Sequence, residues 1–127
     1  MNKKNKPFFG VMLLLLVLVV IFLTSGNLIF IPTVTLIGLA FIQNTSFSMV
    51  SRSRNRDNMS YHAIASLLSN TLWFLTMREL FKQDLDIYLF APYALGTISG
   101  SIFGVKISMI IEKWLDASAD GHLKDKK

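Results

Sequence analysis

The sequence has no cysteine, two histidines and three prolines in 127 residues. Without cysteine there is no disulfide, no thiolate metal site and no cysteine nucleophile. The imidazoles are His62 and His122, and His122 lies in a polar tail, so no histidine-based metal centre is expected. Charge is scarce too. Asp, Glu, Lys and Arg make up 17% of the chain, against about 25% in soluble domains. Acids are the rarer sign, with 8 Asp and Glu against 13 Lys and Arg. No Ser-His-Asp set, metal-ligand cluster or phosphate loop is present. Neither a catalytic residue, a metal nor a cofactor is expected, and the chain does not read as an enzyme.

What the sequence has is apolar length. Hydrophobic residues make up 52%, and the mean hydropathy is +0.48. Together with long apolar runs this points to an all-α integral membrane protein forming one domain over residues 1–127. After a basic head, NKKNKP, comes the run FFGVMLLLLVLVVIFLT, residues 8–24. About 17–20 apolar residues cross a hydrocarbon core. A cleaved signal peptide would share the basic head and apolar core. The run is longer than a usual signal core, and Thr24-Ser25-Gly26 is a poor cleavage site, so a retained helix is favoured.

Ser25-Gly26-Asn27 reads as a turn. A second helix is expected over 28–50, with Pro32 near its start, where a missing N–H does no harm. Its second half turns polar, with Gln43, Asn44, Thr45, Ser46 and Ser48. Residues 51–60, SRSRNRDNMS, read as a basic loop in which Arg52, Arg54 and Arg56 set topology or meet lipid headgroups. A third helix is expected over 61–81 and a fourth over 87–115, followed by a polar tail, 116–127. Four spans place the basic head, the basic loop and the basic tail on one side. By the positive-inside rule that side is the cytoplasm. Both termini are then cytoplasmic, in a multi-pass protein of the inner (cytoplasmic) membrane.

Two groups of residues stand out as sites. Gly96, Gly100 and Gly104 recur every four residues, and Ser108 continues the row. Small residues at this spacing let two membrane helices approach closely, which lipid-like side chains prevent. The partner is either another helix of the chain or another copy. Lys106 lies about 200° around the helix from that row; it either reaches the cytoplasmic headgroups by its flexible stem or, if the span starts at Pro92, lies deeper and needs a partner or water. The other group is Gln43, Asn44, Ser66 and Asn70. These either hydrogen bond between helices or line a wet path for an ion or small solute. The acids near the spans, Glu79, Asp84, Asp86 and Glu112, are all read at the interfaces, so proton antiport has no midplane carboxylate.

The run YALGTISGSIFGVKI, with NTSFSMVSRSRNR and AIASLLSNTLWFL before it, resembles an uncharacterised family of small bacterial membrane proteins. The resemblance covers about residues 44–110 and rests on Tyr93, Ala94, Leu95, Gly96, Gly100 and Gly104, with Arg52 and Trp73. Family members carry an acidic residue where Asn70 stands, another where Ser108 stands, and a soluble domain that is not expected here. The chain also looks like short membrane proteins of tailed phages, for which holin-like roles are inferred. The resemblance implies the helix assignment and the importance of the glycine face, and no activity.

The expectation is therefore a homo-oligomeric pore or holin-like protein, with the lipid bilayer and other copies as partners and no nucleic acid. A small dimeric transporter, or a subunit that modulates another membrane protein, are the alternatives.

Overall fold

A computed structural model describes the backbone of residues 6–54 and 59–124 and the side chains of residues 10–54 and 59–115. It is all helical among these residues. The elements are α1 (Lys6–Thr24), α2 (Phe30–Ser53), α3 (Met59–Lys82), a 3₁₀ turn (Ile87–Leu89) and α4 (Phe90–Lys124). Two stretches, Phe30–Ser53 and Ile87–Leu115, are long and apolar enough to cross a membrane. At 1.5 Å per residue, α2 is about 36 Å long, against about 30 Å of hydrocarbon. The apolar stretch of α1, Gly10–Thr24, is shorter, and α3 is diluted by serines, Asn70 and two threonines.

The turns follow local chemistry. Gly26 sits at φ +77°, where a Cβ would be strained. Its N–H donates to the Leu23 carbonyl, and that of Leu28 to the Phe22 carbonyl. Between α3 and the 3₁₀ turn, Asp84 and Leu85 both take positive φ (54° and 52°). The Leu85 N–H returns to the Leu80 carbonyl, closing the helix end. Asp86 then caps the next turn by accepting from the Tyr88 N–H at 3.1 Å. Pro92 falls in the first turn of α4, where no intrahelical donor is lost.

The helices lie in the order α3, α2, α4, α1, with α2 against both α3 and α4 and α1 against α4. The α1 contact is apolar. Leu15 and Val19 bury against Ala91, flanked by Leu18, Ala94 and Ile98. At the turn end, Leu28, Leu36 and Leu89 form a second cluster with Phe22 and Tyr88, whose rings meet edge to face at 4.9 Å.

Two expected boundaries are corrected. The loop expected over 51–60 is shorter, because α2 runs through Ser53 and α3 begins at Met59. Ser53 stays helical with its hydroxyl on the Val50 carbonyl, and Arg52 is held by α4 (below). Arg56 lies outside the described residues. The tail expected from 116 is helical to Lys124, since DASAD holds helix-tolerant residues and no proline stops it. The bounds 87–115 expected for the fourth helix match the apolar stretch Ile87–Leu115, whose first three residues wind as the 3₁₀ turn.

Candidate functional site

The glycine row faces α2 of the same chain. A Cβ built on Gly96 would lie 2.5 Å from the Ile37 carbonyl oxygen, and one on Gly104 2.6 Å from that of Thr45. At Gly100 it would overlap the Phe41 carbonyl. By contrast, Gly10 and Gly38 have nothing within 4 Å of such an atom. The pairing of Ile37 with Gly96, Phe41 with Gly100 and Thr45 with Gly104 advances in one direction on both helices, so α2 and α4 run parallel. The two backbones meet along three successive turns.

That approach brings α4 carbonyls within reach of short side chains on α2. Asn44 Nδ2 donates to the Thr97 carbonyl at 2.5 Å. Thr45 Oγ1, 2.8 Å from the Phe41 carbonyl of its own helix, shares its proton with the Gly100 carbonyl at 3.1 Å, and Ser48 Oγ, 3.0 Å from the Asn44 carbonyl, lies 3.4 Å from that of Ser101. The polar half of α2 is thus largely the other side of the glycine seam. Such bonds between membrane helices contribute about 0.6 kcal/mol on average.

Continuing the row past Gly104 leads to Ser108, fully buried, and then to Glu112, 9% exposed. Arg52 Nε and Nη2 donate to the two Glu112 carboxylate oxygens, each at 2.8 Å, in the two-pronged geometry that guanidinium and carboxylate share. Ser108 Oγ donates to Glu112 Oε1 at 3.2 Å. Tyr61 OH lies 3.1 Å from Ser108 Oγ, within hydrogen-bond distance. This chain ties α3, α4 and α2 together at one end of the bundle. Beside it, Ser53 Oγ lies 2.9 Å from His62 Nδ1. The Ser53 hydroxyl also lies 2.9 Å from the Val50 carbonyl. Arg52 is therefore a partner of Glu112, with its side chain still 39% exposed. Glu112 is buried within the protein at that end of the bundle.

On the opposite flank of α2 the helices part. A groove of about 550 Å³ opens between α2 and α3. Gln43, Asn44, Ser66 and Asn70 all border it, joined by Ser69 and Arg54 and by the apolar Phe47, Val50 and Trp73. Gln43 Oε1 is buried there without a hydrogen-bond partner, and Asn70 is exposed. The groove opens away from the α2–α4 seam, and among the described residues no carboxylate lines it. The face that α3 turns to α2 carries Tyr61, Ala65, Ser69 and Thr76, all buried. Ser66 and Asn70 stand beside that contact. Lys106 is exposed on α4, whereas Gly104 and Ser108 on the same helix are buried.

Sequence reasoning missed the roles of Glu112 and Tyr61. A signal for Glu112 was present: it falls four residues after Ser108, on the stripe already marked by the glycines. Comparison with protein-family models, curated proteins and solved structures finds no match.

Proposed function

We propose that this chain is a four-span protein of the inner (cytoplasmic) membrane, with both termini in the cytoplasm, that assembles with copies of itself into a small-solute pore. The α2–α3 groove forms its wet path. The observation that carries this reading is the convergence of Gln43, Asn44, Ser66, Ser69 and Asn70 on one open groove. In hydrocarbon such groups cost free energy unless they meet partners or water. A neighbouring copy supplies the missing wall. Carboxamides both donate and accept, so Asn70 and Gln43 can pair with themselves across a two-fold axis.

The glycine seam has no part in this association, because it is filled by α2 of the same chain. The Arg52–Glu112–Ser108–Tyr61 chain holds three helices in place at the cytoplasmic end and fixes one mouth of the path.

The test is reconstitution. Purified protein in liposomes should release a small entrapped dye or ion, and Asn70→Leu, which leaves a wall of the groove apolar, should cut that release several-fold. Tight liposomes at a protein density that gives oligomers in mild detergent would remove the pore reading. Saturable uptake of one solute would replace the pore with a transporter using the same groove.

A further inference from the structure

We infer that the path along the α2–α3 groove selects anions, small inorganic ones such as chloride among them. This inference rests on the pore reading and adds the class of solute. Arg54 carries the formal charge among the groove-lining residues, and it stands at the C-cap of α2. The remaining polar lining is neutral: the carboxamides of Gln43 and Asn44 on α2, Asn70 on α3, and the hydroxyls of Ser66 and Ser69. These offer N–H and O–H donors to an anion along the path.

A cation-conducting path is marked by acidic side chains and an anion path by arginine or lysine. On α3 itself the acid is Glu79, which lies past Trp73, pairs with Lys82 at 3.2 Å and does not border the groove; on α4, among the described side chains, it is Glu112. It faces Arg52 and Ser108 across the α2–α4 contact and is not among the residues that border the groove. Where a second copy closes the groove, the like orientation of the two chains puts two Arg54 side chains at one mouth. A cleft with low-dielectric walls and one sign of charge concentrates counter-ions by about tenfold or more.

The experiment is a reversal-potential measurement on the full-length protein in planar bilayers under a potassium chloride gradient. The expected result is a reversal potential displaced toward the chloride equilibrium value, with about tenfold preference for chloride over potassium. Arg54→Gln should bring that ratio close to one, Arg54→Glu should invert it, and Arg54→Lys should keep its sign. Helix content by circular dichroism identifies any variant that fails to fold, and Arg54→Lys then decides alongside the wild-type ratio. Wild-type current that prefers potassium, or an unchanged ratio in Arg54→Gln, overturns the anion inference and leaves the pore standing. No current from the wild-type protein overturns the pore and the selectivity together.

Discussion

Gly100 is where a single atom decides the packing. An added methyl group would meet the Phe41 backbone, which cannot swing aside as a side chain can. The α2 and α4 axes must separate, and the Thr45 and Ser48 bonds to α4 carbonyls lengthen with them. Gly100→Ala should destabilise the protein by about 1–3 kcal/mol, read as a lower unfolding midpoint in detergent. Gly38→Ala is the control. It has open space around the new atom and should be neutral, or stabilising by up to about 1 kcal/mol from helix propensity. Equal losses at both sites would remove the close-contact account. The ion pair has its own test. Glu112→Arg should lower thermal stability by placing two like charges together. Adding Arg52→Glu should restore part of the loss, and a double variant no better than the single would argue against the pair. The glycine spacing was readable in the sequence, but its partner was not. A row of small residues on one helix does not say whether its own chain or another supplies the opposing helix.

The arrangement of elements yields a test that the missing cysteines make clean, since introduced thiols have no background. The Ser48→Cys, Ser101→Cys pair reports the parallel α2–α4 register, and Ser53→Cys, His62→Cys reports the α2–α3 contact. Mild oxidation should close each pair within one chain at unchanged mass. Products of doubled mass alone would mean that the contacts lie between copies. Element positions were legible because apolar runs, Ser25-Gly26-Asn27 and Pro92 bound them. The end of α2 was misjudged because arginine and serine alternate there as they would in a loop. What holds that turn in helix is tertiary: Glu112, 60 residues away in sequence. The polar lining residues were legible as a set. Their division into a seam side (Thr45, Ser48) and a groove side (Gln43, Ser66, Asn70), with Asn44 reaching the seam and also bordering the groove, depends on which helices pack on either flank of α2.

For the molecule as a whole, four spans predict a labelling pattern. A membrane-impermeant maleimide should modify Asn27→Cys and Gln83→Cys from outside intact cells, and Lys124→Cys only after permeabilisation. External labelling of Lys124→Cys would break the proposed topology. The order α3, α2, α4, α1 also leaves α3 with α2 as its main neighbour. Its far face is apolar, with Ile64, Leu67 and Phe74 each more than 60% exposed. That face suits lipid along most of its length, and only the groove beside it asks for something polar.

The parallel seam has a consequence for how the chain is made. Thr45 and the carbonyl of Gly100 that it meets are 55 residues apart. At about 5–20 residues per second, about 3–11 seconds separate their synthesis. During that interval the polar half of α2 has left the ribosome and its partner does not exist. The nascent protein must therefore wait with α2 unpaired, kept by the insertion machinery or by α3, until the last helix arrives. A chain truncated at Lys82 should never leave that waiting state, and should be cleared by membrane proteases far faster than the full-length protein in a pulse-chase experiment.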